Sequence, residues 1–266
     1  ISAMKPKRVA LWSHPRSLST AMVMSFGNYG NVEVFNEMFG GAFAFGPERK
    51  MPMPLPVEEH LTFNMVKSQL EAAYPDRDLV FMKDHAISLD KKYERLPAGF
   101  HHTFLIRDPS RAVPSSLKMG LRGGMSVEQY LQMSQVFGKT MGYEHLLDLL
   151  EHVEGTLQQR VVLLDADDIR RHPEKMLRAY CDAVDLPFCE SLLTWDPITE
   201  IPWHNPKSLL AFNKANGAYE DALKSSCWLP PNPNPPDLTD CPQPILDMIE
   251  AARLVYEKLY AKRLQP

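Results

Sequence analysis

Short apolar runs alternate with amphipathic stretches along most of this chain. The apolar runs at residues 9–12, 32–35, 79–83, 102–107 and 160–164 predict buried parallel strands. Segments with helical periodicity follow them, one beginning at Ser19 and others at 57–74, 110–119, 126–151, 173–184 and 244–262. Alternation of this kind predicts an α/β fold, in which helices cover both faces of one central parallel sheet.

The segments between these elements carry their own signals. Residues 39–56 are rich in Gly, Pro, Phe and Met, which predicts a surface loop that covers a substrate. The proline-rich run 229–236 predicts an irregular extended spacer. Within 126–151, Ser126 and Gln129 have the spacing of a helix-capping box. We find no repeat or clean boundary, so we expect one domain over 1–266, with residues 1–4 a remnant of cloning.

Composition narrows the class of protein. Apolar residues make up 44% and charged residues 23% of the 266 positions, which is ordinary for a globular protein. The net charge of −4 argues against general nucleic-acid binding, and no apolar run is long enough to cross a bilayer. The four cysteines lack metal-ligand or C-x-x-C spacing, and the N-terminus lacks a secretory apolar core. We therefore expect a reduced, cytoplasmic protein without nucleic-acid or membrane partners, and its oligomeric state is left open.

The segment His14-Pro-Arg-Ser-Leu-Ser-Thr20 joins the first strand to the first helix. A helix N-terminus presents free backbone N–H groups and suits a phosphate or sulfate. Arg16 adds a permanent planar cation, and Ser17, Ser19 and Thr20 add hydroxyl donors. No glycine occurs between Lys7 and Met24, so this is not a Walker A loop, which disfavours a nucleoside triphosphatase. The plain alternative is a serine-rich turn with an incidental arginine.

Two further strands end in titratable groups, at the sheet edge where α/β proteins bind ligands. Lys83 and His85 lie two positions apart, so they point to the same side if the strand continues. A histidine there suits proton abstraction from a hydroxyl near neutral pH. The alternative is that both simply leave the sheet into solvent. Arg107 ends the next strand and Ser115 follows in a helix, which offers a second anion site.

Acidic residues near these segments have simpler interpretations. Asp108 is expected to cap the helix that follows or to pair with a cation, and an Arg107–Asp108 surface pair is the alternative to an anion site. The cluster Asp165, Asp167 and Asp168 resembles a metal site. Aspartates directly after a strand more often cap the next helix or orient basic neighbours, and we favour that reading.

Taken in order, the segments within residues 7–187 resemble the sulfotransferases that use 3′-phosphoadenosine 5′-phosphosulfate (PAPS) and release PAP. The loop at 14–20 is similar to the family's 5′-phosphosulfate loop Tyr-Pro-Lys-Ser-Gly-Thr-Thr. Lys83-Asp-His85 is similar to its Lys-Thr-His, and Arg107 with Ser115 keeps the spacing of its 3′-phosphate segment. The resemblance implies a P-loop NTPase-like fold and these nucleotide-binding residues: Pro15, Arg16, Ser17, Leu18, Ser19, Thr20, Arg107 and Ser115.

The implied activity is transfer of a sulfuryl group from PAPS to a hydroxyl or amine of a small molecule. The resemblance implies that His85 accepts the proton, that Lys83 and Arg16 neutralise developing charge, and that no metal is required.

This chain departs from the family at two places. Ala166 stands where the family often has tyrosine, and the C-terminal Arg-Lys-Gly and Gly-x-x-Gly-x-x-Lys elements are not recognisable. Contacts that close over the nucleotide are expected instead from Trp203 and His204, or from around Lys207 and Lys214. Two alternatives remain: a P-loop-type small-molecule kinase, which would need Mg²⁺ and ATP, and a non-catalytic nucleotide- or anion-binding protein of the same fold.

Overall fold

Five parallel strands form one sheet in the order β2-β3-β1-β4-β5. The structure is a computed structural model that describes residues 5–51, 56–234 and 236–265. The expected cloning remnant at 1–4 therefore lies outside the described residues and stays a prediction. The strands are β1 Lys7–Ser13, β2 Val32–Asn36, β3 Leu79–His85, β4 His101–Ile106 and β5 Leu163–Asp165.

The strand register brings the predicted site residues to one edge of the sheet. All four neighbouring strand pairs are parallel, so every strand ends at the same edge of the sheet. Ser13 lies opposite His85 across the β1–β3 pair, and Asn36 lies opposite Lys83 across the β2–β3 pair. β1 is central and buried from Val9 onward, so the loop that follows it opens at the middle of this edge.

Helices cover both faces of the sheet, each face over its own apolar core cluster. This confirms the predicted α/β class. The helices are α1 Ser19–Phe26, α2 Met38–Phe45, α3 Phe63–Glu71, α4 Pro109–Arg122, α5 Val127–Ser134, α6 Tyr143–Gly155, α7 Ala166–Arg171, α8 Pro173–Ala183, α9 Lys207–Ala215, α10 Glu220–Lys224 and α11 Gln243–Ala261. No helix in the described part of the chain is long and apolar enough to span a membrane.

Helix α2 corrects the prediction of a surface loop over 39–56. Phe39, Phe43 and Phe45 are buried, and the chain is helical from Met38 to Phe45. The N-terminus of the helix is capped from another strand, because the Asp84 carboxylate accepts hydrogen bonds from the backbone N–H groups of Phe39 (2.7 Å) and Gly40 (3.1 Å). A cap supplied from so far along the chain leaves no local signal. Residues 52–55 of the predicted loop lie outside the described residues.

The predicted helix over 126–151 is two helices. Ser126 and Gln129 form the capping box at the start of α5, which confirms that part of the prediction. A short 3₁₀ turn follows α5, and Gly138 (φ 70°) and Gly142 (φ 87°) then separate it from α6. Positive φ angles suit glycine and interrupt a right-handed helix, so the apolar periodicity continues while the backbone does not.

The proline-rich segment 229–236 is irregular in its described residues, as predicted. Two arginines hold its backbone. Arg170 donates from Nε to the carbonyl of Leu229 (2.7 Å), and Arg111 donates from Nη2 to the carbonyl of Asn232 (3.0 Å). The segment is thus fixed against α4 and α7, at the same edge of the sheet as the strand ends.

Candidate active site

A cavity of about 450 Å³ opens at the edge where the strands end. That volume lies within the usual range for small-molecule sites. Ser17 does not line it: the residue is fully buried, and its hydroxyl has no hydrogen-bond partner among the described residues. The other predicted site residues all line the cavity: Pro15, Arg16, Leu18, Ser19, Thr20, Lys83, His85, Arg107 and Ser115.

The loop between β1 and α1 has an unusual backbone. Arg16 (φ 63°) and Leu18 (φ 67°) both adopt the left-handed conformation, which is costly for residues with a Cβ. Such conformations cluster at functional sites, where the surrounding structure enforces them. No side chain caps α1 at Leu18, so the first N–H groups of the helix have no capping partner there. The loop therefore keeps backbone donors available for an anion.

The structure brings Arg16, Arg107 and Ser115 together, as the sequence predicts. Arg16 donates from Nε to Ser115 Oγ (3.1 Å) and from Nη1 to the carbonyl of Ala218 (2.8 Å). Arg107 donates from Nη1 to the carbonyl of Arg16 (3.2 Å), and its buried Nε has no hydrogen-bond partner. Asp108 caps α4 by accepting from the Ser110 N–H (2.7 Å). Arg107 therefore faces the cavity and forms no surface pair with its neighbour.

His14 anchors the loop, a role that sequence reasoning missed. Its Nε2 accepts from the Arg107 backbone N–H (3.1 Å), and its Nδ1 donates to the Pro15 carbonyl (3.0 Å). The ring stacks on Tyr143, with 3.9 Å between the ring centroids. Burial lowers the pKa of His14 to about 3, so the imidazole is neutral and can make both hydrogen bonds. His14 thus ties the first loop to the end of β4.

Glu37 is the main site residue that sequence reasoning missed. It follows β2 in a left-handed conformation (φ 55°) and is buried. Its Oε1 forms a close ion pair with Lys83 Nζ and lies 3.4 Å from His85 Nε2. Tyr219 (2.8 Å) and Asn213 (3.0 Å) both donate to its Oε2. Lys83 and His85 do lie on the same side, as predicted, but both face this carboxylate.

The protonation states of this group follow from its surroundings. Burial alone would raise the pKa of Glu37, but Lys83 and His85 outweigh it and hold that pKa well below its usual range. Burial and the Lys83 charge lower the pKa of His85, although Glu37 opposes them. His85 is therefore neutral near pH 7, and hydrogen-bonding groups lie beside both of its ring nitrogens.

Ser13 lies beside Nδ1 of His85. Its hydroxyl oxygen is 3.0 Å from that nitrogen and 3.3 Å from the Asp84 carbonyl oxygen, to which it can donate. On the other side of the ring, Nε2 is 3.4 Å from the Glu37 carboxylate. A proton gained by the ring would be stabilised by that carboxylate.

The acidic residues after β5 cap a helix and pair with arginines, which is the interpretation that we favoured from the sequence. Asp165 accepts from the backbone N–H groups of Asp167 (2.9 Å) and Asp168 (3.2 Å) and so caps α7. Asp167 pairs with Arg111 (3.3 Å) and Arg170 (3.6 Å). Among the described residues, no group of His, Cys, Asp and Glu is arranged to hold a metal ion.

The residues that line the cavity near the C-terminal part of the chain agree in part with those expected. Trp203, His204, Lys207 and Lys214 do not line it, but Leu209, Phe212 and Asn213, which lie between the two lysines, do. Residues from the segment 218–229 line it as well, and Arg16 donates to the carbonyl of Ala218 (2.8 Å). That segment carries no basic motif, so its sequence did not predict this role.

Comparisons with known proteins match this chain to sulfotransferases. Residues 7–122 match the family model described as "Sulfotransferase domain". A sulfotransferase from Alicyclobacillus acidocaldarius aligns with 84% of this chain and 97% of its own, at a TM-score of 0.51 and 11% identity. The mouse sulfotransferase SULT7A1, solved with PAP, aligns with 97% of this chain and 90% of its own, at a TM-score of 0.48 and 11% identity.

A longer relative also matches. Branched-chain-amino-acid aminotransferase-like protein 1 of Arabidopsis thaliana is 27% identical over 216 residues, which cover 75% of this chain and 35% of the relative. The chain thus spans about a third of the length of that relative.

The five-stranded parallel sheet flanked by helices is an α/β fold. The likeness to the Alicyclobacillus acidocaldarius protein, together with the match over residues 7–122, shows that the chain has the sulfotransferase fold, as its sequence resemblance predicts.

Proposed function

We propose that this protein is a sulfotransferase that moves a sulfuryl group from PAPS to a small-molecule acceptor. One observation carries the proposal. Two partly buried guanidinium groups, Arg16 and Arg107, meet in a cavity that His85 also lines, and the buried Arg107 Nε has no hydrogen-bond partner among the described residues. Buried polar atoms are rarely left without a partner, so an unpaired charged donor facing a cavity favours an anionic ligand.

The residues present fit a doubly phosphorylated nucleotide. Arg16, Ser19, Thr20 and the uncapped N-terminus of α1 would hold the 5′ end, because backbone N–H groups and a guanidinium both suit phosphate oxygens. The left-handed residues of the loop support this, since such backbone turns form concave anion sites. Arg107 and Ser115 would hold the 3′-phosphate, which would satisfy the unpaired Nε.

PAPS, when bound, supplies an activated sulfuryl group. His85, neutral near pH 7, accepts the proton of the acceptor hydroxyl at its unprotonated ring nitrogen. The acceptor oxygen bonds to sulfur while the bond from sulfur to the bridging phosphate oxygen breaks, and that oxygen keeps the electron pair. Lys83 and Arg16 reduce the negative charge on the transferred group and the bridging oxygen. Glu37, 3.4 Å from Nε2, stabilises the histidine once it is protonated.

A thermal-shift experiment tests the nucleotide part of the proposal. PAP should raise the melting temperature of the wild-type protein more than ATP with Mg²⁺, because a ligand stabilises the state it binds. Arg107→Ala should lose most of the PAP response. Arg171→Ala is the matched control, since that arginine is exposed and pairs with Asp168 outside the cavity.

The same experiment, together with an assay of sulfuryl transfer, separates the alternatives. Stabilisation by ATP with Mg²⁺ but not by PAP would favour a P-loop-type kinase. A PAP response without any transfer to an acceptor would favour a non-catalytic nucleotide-binding protein. An absence of any response to PAP would overturn the proposal.

A further inference from the structure

The proposed reaction assigns no role to Arg170, although this cation lines the cavity. Arg170 lies on α7, which directly follows β5, and its side chain is 17% exposed. Arg107 follows β4, and β4 lies between β1 and β5 in the sheet. His85 ends β3, on the opposite side of β1. Because of this strand order, Arg170 lies at the end of the cavity beyond Arg107, away from His85.

The carboxylate that pairs with Arg170 is shared with a second arginine. Asp167 Oδ1 lies 3.6 Å from Arg170 Nη1, and that buried oxygen has no hydrogen-bond partner among the described residues. Asp167 Oδ2 lies 3.3 Å from Arg111 Nε. The neighbouring Asp168 pairs with two other arginines. Since one carboxylate carries a single negative charge, the pair Arg111 and Arg170 keeps an excess of positive charge.

This excess of positive charge acts on Arg107. Burial lowers the pKa of Arg107, and the charges of Arg170, Arg16 and Arg111 lower it further, although Asp167 opposes them. Guanidinium groups that repel one another in a partly buried cavity are stabilised by an anion that lies between them. A phosphate monoester carries about two negative charges near pH 7, and its oxygens match the planar donor sets of two arginines.

Arg170 has a second contact, with the proline-rich segment 229–234, which we call the strap. It donates from Nε and Nη2 to two carbonyls of the strap (2.7 Å each), and these bonds leave the N–H groups of Nη1 for a further acceptor. Arg111 donates to two other carbonyls of the strap (3.0 and 3.3 Å). However, Arg111 is not among the described residues that line the cavity. The two arginines therefore share the strap and Asp167 and differ in their access to the cavity.

From these contacts we infer that Arg170 binds the 3′-phosphate of the nucleotide together with Arg107, and that this second guanidinium makes the site select nucleotides that carry a 3′-phosphate. The inference rests on the proposed function, in which Arg107 and Ser115 hold that phosphate. It gives Arg170 a direct contact with the ligand in addition to its hydrogen bonds with the strap.

Calorimetric titration with three nucleotides tests this role without any acceptor. PAP carries both the 3′- and the 5′-phosphate of adenosine, whereas adenosine 3′-monophosphate and adenosine 5′-monophosphate each carry one of them. Arg170→Ala should raise the Kd for PAP and for adenosine 3′-monophosphate roughly tenfold or more, on the scale of a hydrogen bond to a charged group. The Kd for adenosine 5′-monophosphate, measured by competition with PAP, should stay nearly unchanged.

Arg111→Ala is the matched control. It removes two hydrogen bonds to the strap and a contact with Asp167, as Arg170→Ala does, but it takes no cation from the cavity lining. Its Kd for PAP should therefore change much less. If Arg170→Ala does not fold, Arg170→Gln carries the same expectation, because it removes the charge and keeps an amide donor for the strap.

The possible results separate this inference from the proposed function. If Arg170→Ala weakens all three nucleotides equally, or if Arg111→Ala weakens PAP as much as Arg170→Ala does, Arg170 only holds the strap and the inference is wrong. An unchanged Kd for PAP in Arg170→Ala would also overturn it. If the wild-type protein does not bind PAP at all, the proposed function itself fails.

Discussion

Replacing Glu37 with glutamine should be the most informative single change in this protein. The substitution keeps the size of the side chain and removes its charge. Lys83 is 1% exposed and has its ion pair with this carboxylate, so the variant leaves a buried ammonium without its counter-ion. Removing one partner of a buried ion pair typically costs about 3–5 kcal/mol. We expect a loss of that order in the free energy of unfolding at pH 7.

The pH dependence of this loss has a definite sign. Although burial would raise it, the pKa of Glu37 is held well below its usual range by Lys83 and His85. A carboxyl whose pKa is lower in the folded state stabilises the fold above its unfolded pKa, and that contribution is lost as the pH falls through the folded value. The difference in unfolding free energy between wild type and Glu37→Gln should therefore shrink in acid.

Urea unfolding followed by tryptophan fluorescence would measure these free energies. Glu220→Gln is the matched control. The ion pair between Glu220 and Lys224 is exposed, so its loss should leave the free energy of unfolding nearly unchanged. The double variant Glu37→Gln/Lys83→Met should recover part of the loss, since apolar replacement of a buried pair is often neutral. The reasoning fails if Glu37→Gln unfolds within about 1 kcal/mol of wild type at pH 7, or if the double variant is less stable than the single one.

The remaining predictions concern catalysis and packing. His85→Ala should abolish sulfuryl transfer while PAP still stabilises the protein in a thermal shift, and retained turnover would exclude His85 as the base. Because burial and the Lys83 charge lower the pKa of His85, the rate should stay level through neutral pH and decline only below pH ~6.5, the ordinary histidine value; an acid limb above neutrality would contradict this. Gly41→Ala should lower the free energy of unfolding by roughly 1–3 kcal/mol, because its new Cβ would collide with the ring of Pro206. Gly155→Ala is the control, because outside its own helix backbone and chain neighbours no atom of the described residues lies within 4 Å of the added carbon. Equal melting temperatures for the two variants would count against the packing argument.

Local patterns explain what the sequence could predict. The charged and titratable site residues lie at the strand ends or within a few positions of them. Arg16, Lys83, His85 and Arg107 can therefore be found without knowing the fold. Their meeting in one cavity follows from the parallel sheet, because all strand ends share an edge. The aspartate cap at Asp165 was equally readable, since it binds the N–H groups of the helix that follows directly.

Contacts between segments that are distant in sequence explain which site residues the sequence could not predict. Glu37 directly follows β2, and its importance depends on the register that sets Asn36 opposite Lys83. His14 looks like part of a phosphate loop, yet its partner is the backbone of Arg107 across the sheet. Several residues that line the cavity come from the segment 218–229, where no charge pattern indicates a role.

The cap of α2 has a consequence for the order of assembly. A helix of eight residues, such as α2, has marginal stability in isolation. The first N–H groups of α2 are hydrogen-bonded by Asp84, which lies 45 positions after Phe39. The helix is therefore stabilised only where β3 lies beside β2. Phe43 and Phe45 are buried with the helix, so their burial also depends on the strand that ends in His85. In a fragment that stops before β3, we expect residues 38–45 to be unfolded, with their apolar side chains exposed to water.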